Sequence, residues 1–186
     1  MVTVISLWLP ILVAAVLVFV ASSVIHMVLN YHMSDFAKLP NEDAVMDALR
    51  KFDIPPGDYV MPCPADSKDM RSPEFVAKTE RGPVGFFTIL LHGGWQMGSS
   101  LAQWFAYCLL VGIFAAYLTG RAIGPGAGHL EVFRFAGTVA FVGYGLALLQ
   151  NSIWMKRSWS ATGKSVFDGL VYGLLTAGTF GWLWPG

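Results

Sequence analysis

The stretch VISLWLPILVAAVLVFVASSVIHMVL, residues 4–29, contains no Asp, Glu, Lys or Arg. A helix needs about 20 mainly apolar residues to cross the hydrocarbon core of a bilayer, and this stretch is long enough. It lacks the basic start of a secretory signal peptide, and its apolar run is longer than the core of such a peptide. The stretch therefore predicts a retained membrane-spanning helix.

Three further apolar blocks follow at residues 101–120, 132–149 and 166–185. Of the 186 residues, 55% are hydrophobic and 13% are charged, whereas soluble domains carry about 25% charged residues. This pattern predicts an all-α integral membrane four-helix bundle, with a polar insertion of short helices between helices one and two. Twelve basic and twelve acidic side chains cancel, which argues against a nucleic-acid partner.

The blocks also predict how the chain is organised. Residues 1–30 form the first transmembrane helix, residues 31–98 form a cytoplasmic insertion, and residues 99–186 form the other three transmembrane helices. The last part of the insertion, residues 82–98, is uncharged, but its apolar run is too short to span a bilayer. We expect it to lie along the membrane surface or to form a hairpin at Gly93–Gly94, with a re-entrant segment as the alternative.

The insertion has its own helix signals. Residues 31–81 hold seven of the twelve basic and ten of the twelve acidic side chains. The segment LPNEDAVMDALRKF predicts a helix with Asn41 as its N-cap, and SPEFVAKTE predicts a second helix with Ser72 as its N-cap. We therefore expect the insertion to fold locally.

Basic residues give the expected orientation in the membrane. The insertion and the loop between helices three and four carry Lys38, Arg81, Lys156, Arg157 and Lys164 near the membrane. The opposite side carries Arg121 and Arg134. By the positive-inside rule, the insertion is expected in the cytoplasm and both termini in the periplasm.

Small residues recur every four positions along the fourth block, with a shorter run in the second. Such a stripe lets another helix backbone approach closely. We expect packing within the bundle, and contact with another subunit is the alternative. The positions are Ser165, Gly169, Gly173, Ala177 and Gly181 in helix four, and Gly112, Ala116 and Gly120 in helix two.

Six segments carry a resemblance that covers nearly the whole chain: ASSVIHMVLNYHMSDFAKLP, DIPPGDYVMP, SKDM, ERGPVGF, VFRFAGTVAF and FDGLVYGLLTAGTFGWLWP. Together they resemble a family of small bacterial four-helix integral membrane proteins. The resemblance implies a location in the bacterial inner membrane. It assigns no activity, so no catalytic residue follows from it.

Polar side chains gather where the first helix is expected to end, at His26, Asn30, His32 and Asp35. On a continuous helix, His26 shares a face with Asn30, and His32 shares another face with Asp35. The two histidines then point about 120° apart. Because no pair has the spacing of zinc ligands, we expect no metal here. His26 is expected to hydrogen-bond within the bundle, and His32 to lie beside Asp35 outside the hydrocarbon.

Arg134 and Asp168 are ionisable residues inside apolar blocks, and such residues suggest function by default. Both lie close enough to an interface to extend towards water or to pair locally, so the structural interpretation is favoured. Other potential ligands are isolated in the sequence: His92, His129, Met61 and Cys63.

Two functional hypotheses follow. The first is a non-enzymatic accessory or scaffold subunit without a cofactor, with the lipid bilayer, other membrane subunits or further copies of itself as partners. The alternative is a bundle that handles a small molecule, an ion or a cofactor in a pocket near His26, Asn30 and Asp168, and quinone, haem and lipid are its candidate ligands. The sequence contains no Walker loop, HExxH, GxSxG or CxxC motif, so a membrane enzyme is the least supported class.

Overall fold

The computed structural model describes residues 1–93 and 97–186. In chain order, the helices and strands are α1 (Trp8–Met27), α2 (Glu42–Arg50), β1 (Gly57–Met61), α3 (Pro73–Arg81), β2 (Gly85–Ile89), α4 (Met97–Ala122), α5 (His129–Tyr144), α6 (Leu149–Ile153) and α7 (Trp159–Trp182). The chain divides into two compact units. We call Met1–Ala37 with Gln96–Gly186 the helical unit, and Lys38–Trp95 the polar unit.

Three helical stretches are long and apolar enough to cross a membrane: Ile5–Met27, Met97–Ala122 and His129–Ile153. They coincide with the first three apolar blocks, so the chain is a mostly helical, membrane-associated protein, as predicted. The fourth block forms α7, which is 24 residues long but is not one of these three stretches. Helix α7 carries the buried polar residues Thr162, Asp168 and Thr176 within its length.

Backbone hydrogen bonds define the two ends of the helical unit. The N–H of Val2 donates to the carbonyl of Gly120 at 3.0 Å, so α1 begins where α4 ends. The N–H of Gly126, just before α5, donates to the carbonyl of Pro185, just after α7, also at 3.0 Å. We call this end, which holds both chain termini, the terminal end. The opposite end holds His26 and the start of α7, and we call it the histidine end.

An aromatic group fills the bundle near the histidine end. The rings of Tyr144 and Tyr172 lie 5.5 Å apart, and that of Trp104 lies 5.9 Å from Tyr172. The indole N–H of Trp104 donates to Ser22 Oγ at 2.7 Å, which ties α4 to α1. Rings that pack edge to face hold helices at a fixed separation, so this group sets the spacing beneath the histidine end.

Glycines allow α7 to approach α5 closely. A β-carbon added at Gly169 would lie 2.6 Å from the Cα of Gly145, and one at Gly173 would lie 3.2 Å from Phe141. The small-residue stripe of α7 therefore lies against α5 of the same chain. Other buried members of the two stripes are Ala177 in α7, and Gly112, Ala116 and Gly120 in α4.

The polar unit contains a sheet that the all-α prediction missed, and that part of the prediction is wrong. Strands β1 and β2 pair antiparallel, with Tyr59 opposite Phe87. Their rings stack with centroids 5.4 Å apart. Aromatic and β-branched residues favour strands because their side chains pack across the pair, and the partners are too far apart in sequence for a short-range hairpin signal.

The helices of the polar unit begin where the sequence predicts. Ser72 Oγ accepts a hydrogen bond from the N–H of Phe75 at 3.1 Å, so Ser72 caps α3 as expected. Asn41 precedes α2, but it makes no side-chain cap and adopts a left-handed φ of 49°. Of the turn expected at Gly93–Gly94, Gly94 lies outside the described residues.

Candidate metal centre

The first helix ends before it reaches His32, whereas the expectation from the sequence is one continuous helix through Asp35. Helix α1 ends at Met27, and Asn30 adopts a left-handed φ of 54°. Asparagine tolerates this conformation better than most residues. A 3-10 turn over Tyr31–Asp35 then leads back to the bundle. The expectation that His26 and His32 point apart on one helix is therefore wrong, and so is the assignment of Asn30 to the helix face of His26.

This turn brings the two histidine rings together. The ring centroids of His26 and His32 lie 4.6 Å apart, with the planes tilted by 37°. The side chain of His32 is 16% exposed, whereas His26 lies on the exposed surface of the histidine end. His26 and His32 thus lie side by side, although the end of α1 lies between them in the sequence.

Helix α7 contributes a buried carboxylate to the same place. Asp168 Oδ2 lies 2.7 Å from His32 Nε2, and the side chain of Asp168 is 4% exposed. The hydroxyl of Tyr31 donates to the other oxygen, Oδ1. Both oxygens of this carboxylate therefore have a partner in the turn that follows α1.

A second carboxylate lies on the other side of His32. Asp35 Oδ2 is 2.6 Å from His32 Nδ1, as the sequence predicted for this neighbouring pair. Lys164 Nζ donates to Asp35 Oδ1 at 2.8 Å, and Arg157 lies 3.9 Å from Oδ2. Burial acts to raise the pKa of Asp35, but the hydrogen bonds from Lys164 and His32 outweigh it, so this pKa lies below its ordinary value.

His26, His32 and Asp168 form what we call the ligand triad. Each offers one potential ligand atom, and these atoms all lie within 4.8 Å of one another. Ligand atoms that share a zinc ion at about 2.0–2.1 Å lie roughly 3.3 Å apart. His32 Nε2 and Asp168 Oδ2 are closer than this spacing, at 2.7 Å, so the triad would have to open slightly to hold an ion between them.

The other potential ligands of the sequence lie elsewhere. The ring of His129 lies against Gly181, at the terminal end, and Arg134 lies in the second turn of the same helix. His92, Met61 and Cys63 belong to the polar unit. Asp168 therefore completes the candidate site, and it is one of the two residues of this site, with His26, that the alternative sequence hypothesis placed in one pocket.

Sequence reasoning missed the roles of Tyr31, Lys164 and Arg157 in this site. One signal pointed to them: the helical unit contains only three carboxylate side chains, Asp35, Glu131 and Asp168. Isolated carboxylates in an apolar bundle need donors or cations nearby. Arg157 and Lys164, near the start of α7, are the cations that pair with Asp35.

No protein-family model matches the chain, and no curated protein or solved structure matches it either. The functional argument therefore depends on the chemistry of the residues. Two imidazoles and one carboxylate can coordinate a transition-metal ion.

Proposed function

We propose that this membrane protein binds a divalent transition-metal ion at the ligand triad, and that handling this ion is its function. One observation carries the proposal: His26, His32 and Asp168 offer ligand atoms within 4.8 Å of one another. These atoms come from α1, from the turn after it and from α7. Two histidines with one carboxylate form a ligand set used for iron(II) and for catalytic zinc.

The second nitrogen of His32 supports this proposal. Histidines that bind metals usually donate their other ring N–H to a carboxylate, which fixes the tautomer and orients the ring. His32 Nδ1 lies 2.6 Å from Asp35, which leaves Nε2 facing Asp168. Asp35 is thus a positioning residue for the ring, and His32 Nε2 is the ligand atom.

The distribution of charge also supports a cation between His32 and Asp168. Lys164 and Arg157 both lie against Asp35. Within the described residues, Asp168 pairs with no lysine or arginine. Its partners among these residues are the hydroxyl of Tyr31 and the ring of His32. A metal ion shared with His32 would therefore supply the compensating positive charge that a buried carboxylate needs.

The ligand count indicates an exchangeable or reactive ion. Structural zinc sites are usually closed by four protein ligands, whereas a site with three keeps positions for water or another ligand. His26 is exposed, so one ligand of the triad is accessible from outside the bundle. Such a site suits the transfer of an ion or chemistry at the ion better than a purely structural role.

We place this centre at the cytoplasmic end of a four-crossing bundle in the bacterial inner membrane, with both termini in the periplasm. The alternating directions of α1, α4, α5 and α7 support this arrangement, with α7 as the fourth crossing. Basic residues near the start of α7 add support, since Arg157 and Lys164 both lie at the histidine end. The family resemblance in the sequence agrees with the choice of membrane.

The accessory-subunit hypothesis has less support. It rested largely on the small-residue stripes. The stripe of α7 is occupied by α5 of the same chain, because Gly169 and Gly173 lie against Gly145 and Phe141. An intramolecular partner leaves this stripe no surface for another subunit.

Elemental analysis tests the proposal. The full chain, purified in mild detergent, would be dialysed against equal concentrations of manganese, iron(II), cobalt, nickel and zinc salts and then desalted. We expect about one ion per chain, and loss of that ion in His26→Ala, His32→Ala and Asp168→Asn. His129→Ala is the matched control, because the exposed His129 lies at the terminal end of the helical unit, against Gly181, and should leave the ion in place.

Two outcomes would refute the proposal. One is the absence of a stoichiometric ion after loading with each metal. The other is full retention of the ion by the three triad variants. Circular dichroism of each variant would establish that its helices remain folded, so that loss of metal reports on the ligands themselves.

A further inference from the structure

A second candidate site lies between α4 and α5 near the terminal end of the helical unit, whereas the ligand triad lies at the histidine end. A groove of about 690 Å³ opens there on the surface of the helical unit. Its apolar walls include Leu118, Phe135 and Val139, and Arg121 and Arg134 border it. Both helices belong to stretches that can cross a membrane, so the groove faces the region of the acyl chains.

The two arginines have spare hydrogen-bonding capacity. Arg121 donates to the sulfur of Met1 at 3.2 Å and lies over the ring of Tyr117 at 5.7 Å. A thioether is a weak acceptor and leaves most of the five guanidinium donors free. Within residues 1–93 and 97–186, neither Arg121 nor Arg134 forms an ion pair with a carboxylate. Both side chains are exposed.

The position of the arginines along the bundle matches the depth of lipid headgroups. Arg121 is next to last in α4 and Arg134 lies in the second turn of α5, so both are near the terminal end. Trp8 and Trp182, also at this end, are 63% and 86% exposed. Exposed tryptophans concentrate at the membrane–water interface, and arginine side chains extend towards that interface from slightly deeper positions.

We propose that this groove binds one anionic phospholipid. An acyl chain would occupy the apolar part beside Leu118, Phe135 and Val139. The guanidinium groups of Arg121 and Arg134 would hold the phosphate, since arginine donates paired hydrogen bonds to phosphate oxygens. Charge complementarity selects this occupant, because two arginines without a carboxylate partner favour a lipid with net negative charge over a zwitterionic one.

Native mass spectrometry of the detergent-solubilised full chain would test this proposal. The protein would be titrated separately with phosphatidylglycerol and with phosphatidylcholine that carry the same acyl chains. We expect a preference for phosphatidylglycerol of roughly 25-fold, because each basic residue near anionic lipid contributes roughly a factor of five. The double variant Arg121→Gln/Arg134→Gln should lose this preference, and Arg121→Lys/Arg134→Lys should keep part of it.

The controls separate the groove from general effects of charge. Arg81→Gln, in α3 of the polar unit, removes a basic residue elsewhere and should leave the preference unchanged. Inorganic phosphate at millimolar concentration should compete poorly, because it offers nothing to the apolar walls. Equal binding of the two lipids would overturn the proposal. A preference that survives in the Gln double variant, or effective competition by phosphate alone, would overturn it as well.

Discussion

Lys164 and Asp35 form a 2.8 Å ion pair across 129 positions of sequence. The same ammonium group also donates to the carbonyl of Tyr31 at 2.8 Å. Together these bonds hold the turn that follows α1 against the first part of α7. The ligand triad therefore depends on a contact between two segments that are far apart in the chain.

Removing the lysine should destabilise the bundle. Lys164→Met leaves the carboxylate of Asp35, which is 3% exposed, without its nearest cation. We expect the free energy of unfolding to fall by about 1–3 kcal/mol, because the carboxylate then keeps only His32 and the more distant Arg157 as partners. The double variant with Asp35→Asn should recover part of this loss, which corresponds to a coupling energy of about 1–3 kcal/mol.

Thermal and denaturant unfolding in detergent would measure this cycle. Lys38→Met is the matched control, because Lys38 pairs with Glu42 at 3.8 Å on the surface and is 81% exposed. Such exposed pairs contribute about 0–1 kcal/mol. Additive effects of Lys164→Met and Asp35→Asn would contradict a direct interaction between the two side chains.

Asp35 should also affect metal binding if the proposed function is correct. Asp35→Asn changes the group that orients His32 but leaves all three triad ligands in place. We expect one ion per chain with an affinity about 10–100-fold weaker, as for other residues that orient metal ligands. Isothermal titration of the purified protein with zinc would measure it. Glu131→Gln, at the terminal end, should bind normally, and an unchanged affinity in Asp35→Asn would remove Asp35 from the site.

Close packing of α7 on α5 predicts a contrast between two glycines of one helix. In Gly169→Ala, the new methyl group would lie 2.6 Å from the Cα of Gly145, a backbone atom that cannot move aside alone. We expect a loss of about 1–3 kcal/mol of stability. In Gly178→Ala, no atom lies within 4 Å of the new methyl group, so the higher helix propensity of alanine should leave stability unchanged or raise it by up to about 1 kcal/mol.

The melting temperature and the gel-filtration profile of each variant, measured in the same detergent, would show its stability and its oligomeric state. A larger loss in Gly178→Ala than in Gly169→Ala would contradict the assigned helix face. An unchanged melting temperature with altered oligomeric state in Gly169→Ala would instead indicate that this face meets another chain.

The proposed topology can be tested with cysteine labelling. Cys63 is exposed in the polar unit and Cys108 is buried, so the native chain carries a natural reporter. A membrane-impermeant maleimide added to intact bacterial cells should leave Cys63 unmodified, because we propose that the polar unit is cytoplasmic. Pro125→Cys, introduced with Cys63→Ser, lies in the loop between α4 and α5 and should react. Labelling of both positions from outside would contradict four crossings with this orientation.

The sequence by itself determined the class of the protein and most of its long helices. Runs of apolar residues report helix length directly, because a bilayer crossing requires about 20 of them. The spans that contain Trp8–Met27 and Met97–Ala122 could therefore be predicted without any knowledge of their neighbours. The cap of α3 at Ser72 is likewise a local property, since its partner is only three residues away.

Tertiary structure alone decided that His32, rather than Asn30, joins His26 and Asp168 in the candidate site, and that a sheet forms. His26 and His32 meet because one residue, Asn30, adopts a left-handed conformation and ends the helix pattern. Asp168 joins them only when α7 packs beside α1, and the pairing of β1 with β2 links segments that local patterns treat separately. Helix length and caps arise from interactions within a few residues, whereas the triad arises from contacts between residues more than 130 positions apart, which no local pattern encodes.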